Sequence, residues 1–439
     1  MSDLSVLAAG REAPGRVALV DAAGELTFGE LAGLAQAAVK GLPREQRVLI
    51  APRPCRQDIA TLLGMLEHRI SFALANPLWS EAELRDAAER TGASTLILDG
   101  ERTTTHAAAV AAEQTLVFTS GSSGQAKIVR LSHQALVAAA TAHAMALPWT
   151  PDDAWVLTLP VAHIGGLSVL TRALFARRPV ILTGARFDTA ATLRAFEQHR
   201  GTLLSVVPTM LRRLLHEPAP PSLRAVLLGG AATDPSLLAQ ARAQGWPVLP
   251  TYGMSETCAQ ACTQRLDDMA PDGVGSPMPG VSIRVRESQI EVSGPTLTLG
   301  YLGEPDLEEA WFRTGDLGRW DSHGHLHVLG RADARIITGG ENVDPLEVEA
   351  ALLTHPAVEE AVVFGRPDPE WGAAVVAVVV AQPFEPRAIR EHLGRRLARF
   401  KHPKQIERVQ TLPRLASGKV DRVAVERSML PACQLPPRV

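Results

Sequence analysis

The chain has 439 residues, 46% of them apolar and 21% charged, proportions that exclude disorder, a fibrous repeat and a disulfide-stapled miniature. Its 44 basic and 47 acidic residues leave a formal charge of −3, so no global field recruits nucleic acid or an anionic membrane. Four cysteines without a Cys-x-x-Cys pair read as reduced, cytosolic thiols, and residues 1–10 lack the basic start and apolar run of a secretory signal.

Helical periodicity at 26–42 and 58–68 alternates with short apolar strands at 47–51, 94–98, 155–159 and 180–183. Further strands are predicted at 203–207, 225–228 and 248–250, each ending at Gly, Pro or Thr, where a site can sit on strand ends. An Ala-rich run at 107–112, with the threonines at 103–105, reads as a surface connection. Alternating strands and helices imply an α/β architecture through about residue 265, followed by a β-rich subdomain with strands at 283–285, 289–292 and 325–329. A compact α+β unit comes last, with strands at 334–337, 361–364 and 375–380, a helix from Pro345 and another over 386–398. The expected division is therefore 1–331, a large α/β domain with its β-rich subdomain, and 332–439, a small mobile α+β domain. No window approaches the about 20 apolar residues of a membrane span.

Arginine has largely replaced lysine: the chain holds 39 Arg and only 5 Lys. A lysine inside a glycine-rich motif is then less easily read as a generic surface cation, and both Lys127 and Lys419 sit in such motifs. The apolar run from Thr115 enters Thr119-Ser120-Gly121-Ser122-Ser123-Gly124-Gln125-Ala126-Lys127. Glycines let backbone N–H groups converge on an anion, hydroxyls donate, and Lys127 adds a point charge, which together make a phosphate cradle. It is not a Walker A loop, since Ile128 follows the lysine.

This loop resembles the nucleotide-binding loop of the acyl-adenylate-forming superfamily, and four further motifs match that family in order. They are Tyr252-Gly253-Met254-Ser255-Glu256, Arg313-Thr314-Gly315-Asp316, Gly330-Arg331-Ala332-Asp333 and Ser417-Gly418-Lys419. The resemblance implies ATP, Mg²⁺ and coenzyme A, the acid being first adenylated and then passed to the CoA thiol as one small domain rotates between the steps. It implies Glu256 as the oxygen ligand of Mg²⁺, Ser255 on a phosphate oxygen, Asp316 on the ribose hydroxyls, and Arg331 within the nucleotide site. Gly230 and Ala231 would offer backbone to a flat adenine and Tyr252 would stack on its other face. Lys419 would bridge carboxylate and α-phosphate as charge builds in adenylation. Asp333 would be the pivot, and the Gly339-Gly340 turn would approach the pantetheine tunnel.

Pro160-Val161-Ala162-His163-Ile164-Gly165-Gly166 resembles the acyl-CoA synthetase branch, with His163 lining the acyl pocket. Segments around Thr209, Gly229, Pro279 and Phe400 look like ligases of an aryl diacid, whose aliphatic carboxylate is activated while the aromatic one stays ionised. That second carboxylate needs a buried donor or cation, and Arg213, then Arg212, are the candidates, with Thr209 and Gly229 beside them. Other aryl- or short-chain acyl-CoA synthetases, and an adenylating domain that loads a carrier protein, are the alternatives. The partners expected are small-molecule substrates, not nucleic acid or membrane, with a homodimer left open, and the setting is cytoplasmic. His323, His325 and His327 lack a zinc-like partner set, and Cys258 and Cys262 read as small packing residues.

Overall fold

The computed structural model describes residues 3–104, 115–119, 126–232, 235–334, 336–338, 341–415 and 418–429. Among these, one sheet runs Ser276–Pro277, Cys262–Thr263, Val248–Tyr252, Ala225–Leu228, Leu203–Val206, Trp155–Leu157, Val180–Leu182, Val17–Asp21, Gly24–Thr27. Its centre is parallel, and Leu203–Val206 and Ala225–Leu228 are buried along their whole length, as strands covered on both faces must be. A second sheet runs Gly300–Tyr301, Lys127–Leu131, Thr115–Thr119, Phe72–Leu74, Arg47–Ile50, Ala93–Leu98, Glu101–Thr104.

The helices Val6–Glu12, Phe28–Ala38, Arg56–Glu67, His133–Ala146 and Ile164–Ala176 lie between the two sheets. Leu31, Leu62, Leu136 and Leu170 share one core with Val48 and Phe72 of one sheet and with Leu19 and Trp155 of the other. The opposite face of the longer sheet packs Leu204 and Val226 on Leu211 and Leu237, so the parallel strands are covered on both faces and run out into loops at their carboxyl ends. The antiparallel strands Ser282–Arg286, Gln289–Ser293, Phe312–Trp320 and Leu326–Arg331 form the β-rich subdomain. Beyond it, Gly372–Ala381 is the central strand of the last unit. Val375, Ala377 and Val379 face Val348 and Ile389, while Val376 and Val378 face Val425, the period of two expected of a strand buried on both faces.

Three expectations change. The periodic stretch 26–42 splits, because Thr27 ends a strand and caps Phe28–Ala38 through a reciprocal Thr27–Glu30 box. Residues 103–104 belong to an edge strand, not a connection: Asp99 and Gly100 both take positive φ, 55° and 80°, the two-residue hairpin turn that Asp-Gly favours. The strand expected at 334–337 begins later, at Ile336–Thr338, because Ala332–Ala334 turns as a 3₁₀ segment at the junction.

Candidate active site

Lys419 comes from the small unit yet lies against the large one. A Cβ on Gly230, whose φ is +80°, would stand 2.8 Å from Lys419 Cε and 3.3 Å from Nζ, so the strand end after Leu228 touches the lysine only because it carries no side chain. Its loop is fixed locally by Leu415 N–H donating to Lys419 O (2.8 Å) and Gly418 N–H donating to Leu415 O (2.9 Å). Thr209 Oγ1 donates to Gly418 O at 3.4 Å, which puts the first turn of helix Pro208–Leu214 beside it. Burial lowers the Lys419 pKa from the usual lysine range.

The turn after Val248–Tyr252 gathers a second group. Gly253 is obligatory there, since a Cβ would fall 1.5 Å from Ala259 O. Ser255 and Glu256 stand in the 3₁₀ turn Ser255–Thr257, and Glu256 Oε1 accepts a hydrogen bond of 2.8 Å from Tyr301 Oη. Lys127 begins the strand paired with Thr115–Thr119, where Thr119 Oγ1 donates to Lys127 O at 3.3 Å. Its Nζ lies 4.3 Å from the Tyr301 ring centre and 3.7 Å from Glu304 Oε1. Ser120, Gly121, Ser122, Ser123 and Gly124 lie outside the described residues, as do Gly339 and Gly340.

The β-rich subdomain supplies the third group. Tyr252 Oη donates to Asp316 Oδ2 at 2.7 Å, and Asp316 N–H donates to Thr314 Oγ1 at 3.1 Å. Arg331 Nη1 lies 3.6 Å from Asp316 Oδ1 and donates to Thr314 O at 3.0 Å. Burial, then the Asp316 charge, push the Tyr252 pKa up, so the phenol stays a donor. The tyrosine is buried in the core of the β-rich side, while Gly230 and Ala231 are exposed. Asp333 lies in the turn Ala332–Ala334, just past Arg331.

The acyl side is built on helix Ile164–Ala176. His163 is its N-cap residue, and Gly166 lets the helix close on the preceding loop, where a Cβ would meet Pro160 O at 2.3 Å. His163 Nε2 is buried without a hydrogen-bond partner among the described residues, and burial, followed by the Lys419 charge, lowers its pKa to about 4. Further along, Arg172 is only 3% exposed, and its Nε and Nη2 have no hydrogen-bond partner among the described residues. Burial pushes its pKa down to about 9, with only the Cys258 thiol opposing. Its guanidinium carbon lies 5.7 Å from the Trp155 ring centre, and Trp155 packs on His143, whose Nδ1 meets Gln260 Oε1 at 3.1 Å.

Arg213 does not take the place expected of it. It is exposed, with its guanidinium 4.9 Å above the Phe187 ring, because adjacent positions of Pro208–Leu214 diverge by about 100° and Leu211 and Leu214 claim the buried face. Arg212, the preceding position, is half-buried. Elsewhere, His325 and His327 meet Asp268 (2.9 Å) and Asp321 (3.0 Å), and Cys258 and Cys262 are buried.

Family models for the AMP-binding enzyme and for the AMP-binding enzyme C-terminal domain match residues 114–302 and 347–419. A 2-succinylbenzoate–CoA ligase of Bacillus velezensis is 38% identical over 329 residues, covering 70% of this chain and 67% of the relative. The o-succinylbenzoate CoA synthetase of Bacillus subtilis in complex with its acyl-adenylate intermediate superposes with a TM-score of 0.88 at 28% identity, covering 97% of this chain and 98% of that one. The same Bacillus subtilis enzyme with ATP and a magnesium ion superposes with a TM-score of 0.86 at 28% identity, over 96% and 98% of the two chains.

Proposed function

The chain belongs to the AMP-binding enzyme family, and we propose that it is the AMP-forming ligase that joins o-succinylbenzoate to coenzyme A, a step of menaquinone biosynthesis. What supports the substrate is the likeness to o-succinylbenzoate ligases along nearly the whole chain, and Arg172, buried with two nitrogens that have no hydrogen-bond partner among the described residues, is our candidate for the second carboxylate. The ring carboxylate of a diacid would supply the anion that this guanidinium lacks, beside Trp155. A monoacid would leave the cation unpaired.

His163 and Lys419 then face the carboxylate to be activated. At neutral pH His163 is uncharged, so its free Nε2 offers a polar contact without adding a second cation beside Lys419. Lys419 holds a carboxylate oxygen of the acid and an α-phosphate oxygen of ATP together. The carboxylate attacks phosphorus and the bond to pyrophosphate breaks. Tyr252, Asp316 and Arg331 hold the adenosine end, the ribose hydroxyls donating to Asp316, while Gly229, Gly230 and Ala231 border the adenine. Thr119 and Lys127 flank the triphosphate. Glu256, an oxygen ligand on a turn beside Ser255, fits a hard cation, and magnesium bound there would neutralise charge on the phosphates.

The second step needs Lys419 to leave, so that the CoA sulfur can attack the acyl carbon, lose its proton to solvent and release AMP. Residues 332–439 are the body that swings about Asp333 between the two steps. Among the described residues no helix is long and apolar enough to cross a membrane. ATP and coenzyme A are co-substrates of the cytoplasm, where we place the enzyme. The test is ATP-dependent CoA consumption with o-succinylbenzoate beside benzoate, phenylbutanoate and acetate, following AMP and pyrophosphate. A strong preference for the diacid supports the reading; turnover of monoacids alone removes it.

A further inference from the structure

Tyr301 stands between two phosphate-site groups that are far apart in sequence. It belongs to the edge strand Gly300–Tyr301, paired antiparallel with Lys127–Leu131 so that Tyr301 lies opposite Val129. The flanking chain is tied on both sides. Thr298 N–H donates to Glu256 O at 2.8 Å, and Glu304 N–H donates to Tyr301 O at 3.1 Å. From this fixed backbone the Tyr301 hydroxyl reaches Glu256 Oε1 at 2.8 Å, while its ring carries Lys127 Nζ at 4.3 Å from the centre.

A glutamate side chain on a short turn rotates freely unless something holds it, and a carboxylate that must meet a cation at one position gains from losing that freedom beforehand. The tyrosine hydroxyl occupies one oxygen and leaves the other to coordinate. The Lys127 contacts are of a different kind. A cation over an aromatic face and a half-exposed ion pair to Glu304, with side chains 48% and 54% exposed, are both weak, so a triphosphate can draw the ammonium away. We propose that Tyr301 is a positioning residue for the magnesium–triphosphate complex, its hydroxyl orienting Glu256 toward the metal and its ring parking Lys127 until nucleotide arrives. This rests on Glu256 being the magnesium ligand.

The test is nucleotide binding by calorimetry, with a non-hydrolysable ATP analogue titrated into the full chain in magnesium and again in EDTA. The ratio of the two affinities isolates the metal contribution. Tyr301→Phe keeps the ring and removes the hydroxyl, so the ratio falls by about three- to tenfold, as expected for one hydrogen bond to a charged group, while the metal-free affinity is unchanged. Tyr301→Leu also weakens metal-free binding, because Lys127 loses its platform. Glu256→Gln separates the two levels of the argument. If it leaves the ratio at the wild-type value, the ligand assignment fails and this inference with it. If it collapses the ratio while Tyr301→Phe does not move it, the inference alone is overturned. An equal loss with and without magnesium in Tyr301→Phe also overturns it, since that is the mark of a merely structural tyrosine.

Discussion

Arg422 grips Glu349 through paired hydrogen bonds of 2.9 and 2.6 Å, three residues beyond Lys419, and so ties the lysine's loop to helix Pro345–Leu353. The pair is asymmetric: the Glu349 side chain is 10% exposed and that of Arg422 43%. Burial raises the Glu349 pKa more than Arg422 lowers it. Removing the arginine strands a buried carboxylate that also accepts Val363 N–H, whereas removing the glutamate leaves a cation that reaches water. Arg422→Met should therefore destabilise the chain by about 3 kcal/mol, and Glu349→Gln by clearly less. Urea unfolding of both variants checks the order, and equal losses would contradict the asymmetry.

Arg172 gives the sharpest substrate test. Arg172→Met should lower kcat/KM for o-succinylbenzoate by about 30- to 1000-fold, the loss of a buried charged hydrogen-bond pair at about 2–4 kcal/mol. It should leave a monoacid such as phenylbutanoate unharmed. The same change should raise the melting temperature of the unliganded protein, because a desolvated guanidinium without a counter-ion is replaced by apolar volume. Arg213→Ala, at an exposed position, should stay within about threefold of wild type, as surface substitutions generally do. A large effect at Arg213 with none at Arg172 would restore the original expectation.

That substitution pair also marks where the sequence was legible. Asp316, Glu256 and Lys419 stood out because each lies in a short motif of glycines and hydroxyls whose local backbone is part of the chemistry. Arg172 did not, because its meaning depends on burial. The available signal was an arginine inside the apolar helix Ile164–Ala176, in which Leu167 to Leu174 are all buried, so that no face was left to solvate it. Tyr301 was illegible for another reason: its contact with Glu256 spans 45 positions and is made by sheet pairing, which no local pattern encodes. The Asp99-Gly100 hairpin was readable from its dipeptide, and the alternation after it was too short and polar to declare a strand.

Stability should depend on pH through histidines held uncharged. His163 and His133 both have pKa values lowered to about 4, chiefly by burial, against an ordinary value near 6.5. Between those limits the unfolded chain binds protons that the folded one does not, so stability is full above about pH 6.5 and falls as pH drops toward about 4. One such histidine contributes about 3 kcal/mol across the window. Melting temperature measured from pH 7.5 to 4.5 should decline, and the decline should be shallower in His163→Asn. A flat profile would mean that His163 is charged in the fold.

Lys419 and Gly230 should fail in the same half-reaction. Lys419→Ala removes the charge that bridges the acid and the α-phosphate, and adenylate formation should drop by at least about 100-fold, in line with loss of a principal electrostatic stabiliser. Thioester formation from supplied acyl-AMP should be largely intact, because the lysine has left the site by then. Gly230→Ala tests the same placement from the other side. Its Cβ would stand 2.8 Å from Lys419 Cε at a φ of +80°, so it displaces the lysine without touching its charge. Pyrophosphate release should fall in both variants, and in Lys419→Ala the second step should continue. Equal loss of both half-reactions in Lys419→Ala would remove the lysine from adenylation chemistry and make its contact with Gly230 a matter of domain docking alone.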